Sequence, residues 1–129
     1  GLHLEGVLPY ALGQHVHVFL GNIHINGIID RYLEHSRIFI FANGGEEKYY
    51  IGSADWMPRN LDNRIEVAAP VYDKEIQADL KRIVCYGFRD TAKGRIVDGT
   101  GENREKEREE NSVPFRSQEK LYNEYKNTL

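Results

Sequence analysis

The sequence predicts an α/β domain in which a mixed β-sheet, with a β-hairpin at its centre, packs against helices. Three observations predict this class. Residues 25–33 carry apolar side chains at the spacing of one helix face, residues 38–41 are apolar at every position, and residues 73–87 return to helical spacing. Helix-like and strand-like segments thus alternate along 129 residues, a length suited to one domain.

The first of these elements is an amphipathic helix that ends near His35. Its apolar side chains recur every three or four residues, at Ile25, Ile28, Ile29, Tyr32 and Leu33. A helix C-terminus carries roughly half a negative charge, which favours a protonated imidazole. In that position His35 would be a proton donor or a contact for a phosphate oxygen, although a histidine at a helix end also fits a simple cap or a solvated side chain.

A β-hairpin follows this helix. Its first strand is Ile38–Phe41, which reads as a strand covered on both faces. Asn43–Gly45 supplies residues that tolerate positive φ, and Tyr49–Ile51 returns as the second strand.

A group of small and polar residues comes directly after the hairpin. Gly52 and Ala54 allow backbone N–H groups to approach a ligand, while Ser53 adds a hydroxyl and Asp55 a carboxylate. Guanidinium groups, whose planar forks match phosphate oxygens, are present at Arg37, Arg59 and Arg64. Together with His35 these residues indicate phosphoryl chemistry, although an ordinary turn with surface arginines has the same composition.

Two further core elements are expected. Arg64–Ala69 is a third strand, closed by Pro70, and Asp73 is the N-cap of a helix that covers one sheet face. The buried side of this helix is marked at helical spacing by Ile76, Leu80, Ile83, Val84 and Gly87.

The rest of the chain is read from composition. Residues 98–112 have mixed charges and no large apolar side chain, which predicts a mobile charged loop, and residues 113–129 contain a C-terminal helix that begins near Ser117. Acidic residues outnumber basic ones in the loop, which argues against a nucleic-acid partner. The predicted organisation is a divergent or truncated segment 1–21, a module 22–97, the loop 98–112 and the helical segment 113–129.

His15 and His17 would lie on one face of a strand, but no cysteine or carboxylate pattern completes a metal site around them. We therefore interpret this stretch as an edge strand and predict no metal ligands. No apolar run approaches the ~20 residues of a membrane span. The single cysteine, Cys85, is placed on the apolar side of a helix and favours a reducing compartment. We expect a cytoplasmic protein and leave peripheral membrane association open.

Three motifs in order, YLEHSRIFIF, NGG and YIGSADWMPRNLDNRIEV, closely resemble the C-terminal region of bacterial polyphosphate kinases. This is the histidine-phosphorylating family built from phospholipase-D-like modules. The resemblance continues through PVYDKEIQADL and covers about residues 22–129. It implies that the module is phospholipase-D-like, with His35-x-Arg37 and Gly52–Asp55 in the places of that pattern.

The resemblance also implies an activity. Members transfer the terminal phosphate of ATP to polyphosphate, and the reverse, through a phosphohistidine in an earlier module outside this chain. His35 would be the second active-site histidine, at the nucleotide, and the phosphate-binding set would be Arg37, Arg59, Arg64, Ser53 and Asp55. The implied partners are ATP or ADP, polyphosphate and the remaining domains of the parent kinase, and Mg²⁺ would accompany ATP. Assembly into a homo-oligomer is left open.

Two alternatives stay open. The family carries an arginine-bearing nucleotide segment before the LEH motif, whereas this chain has Glu5–Leu8 near that point and no arginine before Arg31. The chain could thus be a non-catalytic module that binds polyphosphate or packs against other domains. A phospholipase-D-like nuclease is the weaker alternative, because Arg37 replaces the lysine of that motif.

Overall fold

The residues that the structure describes form two three-stranded sheets, each within its own unit of the chain. The computed structural model describes residues 5–7, 24–55, 57–98 and 100–127. His35–Arg82 forms one unit, here called the hairpin unit, and Gly1–Glu34 with Ile83–Leu129 forms the other, the mixed-sheet unit. The elements in chain order are β1 Glu5–Val7, β2 His24–Ile28, β3 Ile38–Phe41, β4 Lys48–Gly52, α1 Pro58–Asn63, β5 Ala68–Val71, α2 Lys74–Arg89, β6 Gly94–Ile96 and α3 Ser117–Lys126.

The predicted hairpin is confirmed. β3 and β4 pair antiparallel, with Ile38 opposite Ile51 and Phe41 opposite Lys48. A short 3₁₀ turn at Asn43–Gly45 connects them, and Asn43 and Gly44 both have positive φ, at 43° and 69°. Residues that tolerate this backbone region therefore reverse the chain, as the sequence indicated.

The third strand begins four residues later than predicted and includes Pro70. β5 pairs antiparallel with β4 and lies at the edge of the sheet, with Pro70 opposite Tyr50. Proline is tolerated at an edge because its missing N–H leaves no inner ladder position unpaired. A further helix, α1, was not predicted, although it starts at Pro58, a residue suited to the first turn of a helix.

The predicted second helix is confirmed as α2. Asp73 caps it, because its Oδ1 accepts hydrogen bonds from the backbone N–H groups of Glu75 (2.9 Å) and Ile76 (3.1 Å). In the hairpin unit, Lys81 donates to Glu47 in the turn region at 2.7 Å, and Gln77 Nε2 donates to the Val71 carbonyl at 2.7 Å. The buried side differs from the prediction, since Ile76 is 52% exposed. Cys85 is exposed as well.

The first predicted helix is wrong. Residues 24–28 form β2, which pairs parallel with β1 and antiparallel with β6, so the mixed sheet is this one and the hairpin lies in an antiparallel sheet. Two physical reasons explain the error: β-branched isoleucines and Gly27 disfavour a helix, and pairing on both sides overrides a local period of 3.6. His35 consequently lies in an irregular segment before β3, and no described helix directly precedes it.

The C-terminal helix is confirmed and starts at Ser117, as predicted. Among the described residues of 98–112 there is no helix, but Glu105 forms a bridge with Arg95, and the Ile96 N–H donates to the Arg104 carbonyl at 2.9 Å. His15 and His17 lie outside the described residues. None of the described helices combines the length and apolarity that a bilayer-spanning helix requires.

Candidate functional site

The centre of the candidate site is an ion pair between two of the predicted residues. Arg37 precedes β3 and Asp55 follows β4, so the antiparallel hairpin brings residues 18 apart in sequence together. Arg37 Nε donates to Asp55 Oδ1 at 2.8 Å, and the two side chains are 26% and 27% exposed. Their partial burial and direct hydrogen bond make this pair stronger than an ordinary surface ion pair.

Charge at Asp55 links this pair to two other predicted residues. The Arg37 hydrogen bond lowers the pKa of Asp55 below its usual range, and the positive charges of Arg37, His35 and Arg59 act in the same direction against desolvation. The structure therefore groups these three basic side chains around one ionised carboxylate.

A second carboxylate, Glu66, lies beside this pair. Ser53 Oγ donates to Glu66 Oε2 at 2.5 Å, and Asn60 Nδ2 donates to Glu66 Oε1 at 2.8 Å. The hydrogen bond from Ser53, followed by that from Asn60, lowers the pKa of Glu66, and the charges of Arg64 and Arg37 contribute further. Arg64 is thus joined electrostatically to the same region.

Three basic residues of the predicted set are exposed to solvent and are not paired with either carboxylate. His35, Arg59 and Arg64 are exposed, and none of their side chains makes a hydrogen bond or ion pair with another residue that the structure describes. Ser53 and Asp55, by contrast, already have partners within the hairpin unit. The open basic groups are therefore the side chains of the predicted set best placed to meet an anion.

The backbone after β4 is also engaged. The Gly52 N–H donates to the Arg37 carbonyl at 2.8 Å, and the Ser53 N–H donates to the Val67 carbonyl at 2.9 Å. Ser53 Oγ in turn accepts from the Val67 N–H at 3.0 Å. The N–H groups of Gly52 and Ser53 are therefore bonded within the hairpin unit and are not available to a ligand.

Glu66 and Asn60 were missed by the sequence reasoning. Asn60 is 3% exposed in α1, a helix that was not predicted, and Glu66 fell within a predicted strand. No local pattern in the sequence marks Glu66 as a partner of Ser53 or of Asn60.

The described residues do not fit a dedicated Mg²⁺ site. No group of three or more His, Cys, Asp or Glu side chains among them is arranged to hold a metal ion. The carboxylates of Asp55 and Glu66 are occupied by Arg37, Ser53 and Asn60, whereas Mg²⁺ needs several open oxygen ligands in near-octahedral geometry.

Comparison with known proteins gives consistent matches. Residues 9–118 match the family model for the polyphosphate kinase C-terminal domain 2. The polyphosphate kinase of Escherichia coli (strain K12) is 49% identical over 83 residues, which are 64% of this chain and 12% of that protein. The polyphosphate kinase of Vibrio vulnificus (strain YJ016) is 45% identical over 106 residues, 82% of this chain and 15% of that protein.

A solved structure agrees with these matches. The crystal structure of polyphosphate kinase from Porphyromonas gingivalis superposes with a TM-score of 0.76 at 41% sequence identity, and covers 83% of this chain and 16% of that chain. The chain thus spans less than a fifth of the length of the proteins it matches. Because the family model covers most of the sequence and the relatives share its name, the chain belongs to the polyphosphate kinase family and corresponds to its C-terminal domain 2.

Proposed function

We propose that this domain supplies phosphate-contacting side chains to a kinase that transfers the terminal phosphate of ATP to polyphosphate, and the reverse. The phosphohistidine of this proposal forms in a part of the parent enzyme outside this chain. His35 lies at the nucleotide, and Arg37, Arg59 and Arg64 stabilise negative charge along the phosphate path. Family membership supports the substrates, and the named side chains are the contribution of this domain.

One observation carries the proposal: exposed basic groups surround a partly buried ion pair. His35 and Arg59 influence the carboxylate of Asp55, yet both remain open to solvent. The chain as a whole has a net charge of −3, so attraction for a polyanion must be local. Phosphoryl transfer needs positioning and neutralisation of spreading negative charge more than covalent chemistry, and exposed guanidiniums suit that task.

The role of His35 differs from the sequence-based argument. Without a helix end behind it, its capacity to donate a proton or contact a phosphate oxygen rests on exposure and on its neighbours in the hairpin unit. Mg²⁺, when bound with ATP, would neutralise phosphate charge. The side chains of this domain act on the phosphate oxygens, and they are not assigned as metal ligands.

Replacing His35 tests the proposal. In the intact polyphosphate kinase that contains this domain, His35→Ala should reduce polyphosphate synthesis from ATP about a hundredfold, the effect of removing one transition-state contact. His24→Ala is the matched control, because His24 is exposed and belongs to the mixed-sheet unit. The control should keep near-normal activity. Equal activity of both variants would remove His35 from the reaction.

A second candidate is a non-catalytic module that packs against other domains or holds polyphosphate. Large apolar side chains exposed in the hairpin unit favour it, at Phe41, Ile51, Ile65, Val67, Tyr72 and Ile76. Binding of polyphosphate by the 129-residue chain without turnover of ATP would support this candidate for the isolated chain. A phospholipase-D-like ancestry of the module and a cytoplasmic location stay predictions.

A further inference from the structure

Asp55 is an acidic residue at the centre of a region that we propose binds phosphate. A bare carboxylate beside a phosphate would repel it, at a cost that grows as water is excluded. Asp55 is nevertheless partly buried there and directly bonded to Arg37. A direct phosphate contact does not account for a carboxylate at this place.

The contacts of Arg37 indicate another role for Asp55. The Arg37 carbonyl accepts the Gly52 N–H at 2.8 Å, which fixes its backbone next to β4. Its Nε donates to Asp55 Oδ1 at 2.8 Å, which fixes the base of the guanidinium. Its two terminal nitrogens make no hydrogen bond to any residue within the described ranges. A guanidinium held at Nε keeps its terminal fork available for two oxygens of one anion.

We infer that Asp55 is a positioning residue, which holds the Arg37 guanidinium so that its terminal nitrogens meet phosphate oxygens, and is not itself a phosphate ligand. This inference rests on the proposed function. Asp55 remains ionised in this role, since the Arg37 hydrogen bond and the nearby cations favour its charged form.

Truncation of Asp55 distinguishes a positioning role from simple electrostatic repulsion, because the two predict opposite changes in the affinity for an anion. If charge alone mattered, Asp55→Ala would remove repulsion and tighten the binding of an anion. If Asp55 orients Arg37, the same change weakens binding about tenfold, the loss of one well-placed charge-assisted contact. Asp55→Asn keeps an oxygen that can accept from Arg37 Nε, so its affinity should lie between those of wild type and Asp55→Ala.

The measurement is calorimetric titration of the 129-residue chain with inorganic polyphosphate at fixed ionic strength. Glu46→Ala is the charge-matched control, because Glu46 is exposed in the hairpin turn and its side chain bonds to no residue in the described parts of the hairpin unit. It removes the same charge and should change affinity less than about twofold. Thermal unfolding of every variant confirms that each one is folded. Arg37 is replaced by Ala in the cycle below, and Arg37→Lys is the milder variant to use if Arg37→Ala does not fold.

A double-mutant cycle with Arg37→Ala completes the test. If Asp55 acts through Arg37, Asp55→Ala should cause no further loss once Arg37 is absent. Tighter binding by Asp55→Ala, or an equal loss with and without Arg37, would overturn the inference alone. Failure of the wild-type chain to bind polyphosphate, or unchanged binding by both Arg37 variants, would instead remove Arg37 from the proposed phosphate contacts, while the role of His35 is tested separately in the intact kinase.

Discussion

Asp30 is paired through both of its carboxylate oxygens. Arg116 donates to it through Nε at 2.9 Å and through a terminal nitrogen at 2.6 Å, and the Arg31 N–H donates at 2.7 Å. Hydrogen bonding by Arg116 lowers the pKa of Asp30, although burial acts in the opposite direction. A lowered pKa in the folded state means that the unfolded chain binds the proton more tightly.

The sign of the pH dependence follows from this shift. The stabilisation from Asp30 is complete above the ordinary aspartate pKa of about 3.9, and it is lost as the pH falls through the lower folded value. Asp30→Asn should therefore flatten the fall in the free energy of unfolding between about pH 5 and pH 3. Denaturant unfolding at several pH values measures this slope.

Asp62→Asn is the control for these unfolding measurements. Asp62→Asn should keep the wild-type slope, since Asp62 is exposed and its side chain bonds to no residue in the described parts of the chain. Part of the slope will persist in Asp30→Asn, because the pKa values of Glu47, Asp55 and Glu66 are also lowered. An Asp30→Asn slope equal to that of wild type would contradict the prediction.

At the residue scale, the sequence predicted a set of candidate side chains but not how they pair. Residue type and motif order indicated His35, Arg37 and Asp55 as members of one site. The hydrogen bond between Arg37 and Asp55 could not be predicted, because it depends on the exact register of β3 and β4. Glu66 was missed because one partner, Ser53, lies before α1 and the other, Asn60, lies within α1, a helix that was not predicted.

At the scale of elements, two aspartates hold the starts of two helices in different surroundings. Asp73 is exposed and caps α2 from the adjoining position. Asp90 has no exposed surface and binds the start of α3, 27 residues later in the sequence. Its Oδ2 accepts hydrogen bonds from the Ser117 N–H at 2.8 Å and from the Ser117 hydroxyl at 2.7 Å. The other oxygen accepts from the backbone N–H groups of Ala92, Lys93 and Gly94.

This difference predicts unequal costs of truncation. Asp73→Ala should lower the free energy of unfolding by about 1 kcal/mol, the usual value of an N-cap. Asp90→Ala should cost about 3 kcal/mol, because it leaves several buried donors without an acceptor. Urea unfolding of both variants gives the comparison. A cost for Asp90→Ala no greater than that for Asp73→Ala would show that water replaces the lost carboxylate.

Elements with local signals were predictable and those without them were not. The hairpin, α2 and α3 each carry their own turn, cap or apolar spacing. β2 was taken for a helix because its isoleucines also match a helical period, and only pairing with β1 and β6 makes it a strand. β6 pairs with residues far earlier in the chain, since Ile96 lies opposite Asn26, 70 positions before it, and no short-range pattern predicts such a partner.

At the scale of the whole molecule, the described interior is small and polar. Tyr49, at 5% exposed, is the one large apolar residue that is buried among the side chains that the structure describes, whereas Asn60, Gln77, Asp90, Ser117 and Gln118 are all buried. Ile65 and Tyr72 are 98% and 81% exposed. Apolar groups left in solvent are the expected condition of a domain that packs against others.

This exposure leads to a prediction for the packing candidate. The double change Ile65→Ser with Tyr72→Ser should alter the stability of the 129-residue chain by less than about 0.5 kcal/mol, as exposed substitutions usually do. In the intact polyphosphate kinase the same change should lower the temperature of thermal unfolding, if other domains cover these side chains. Glu46→Ser controls for substitution in the same unit, and an intact kinase that tolerates the double change would exclude packing through this surface.

Gly52 ends β4 with no room for a side chain: a Cβ there would lie 2.7 Å from Cε2 of Phe39. Packing against Phe39 alone would therefore favour glycine at this position, even in a relative without catalytic activity. A glycine at this position in a relative would therefore indicate that the hairpin is intact, and it would not indicate catalytic activity. His35 is exposed and no described neighbour restricts its side chain in this way, so a histidine kept at that position in relatives would bear on the proposed function, whereas Gly52 would not.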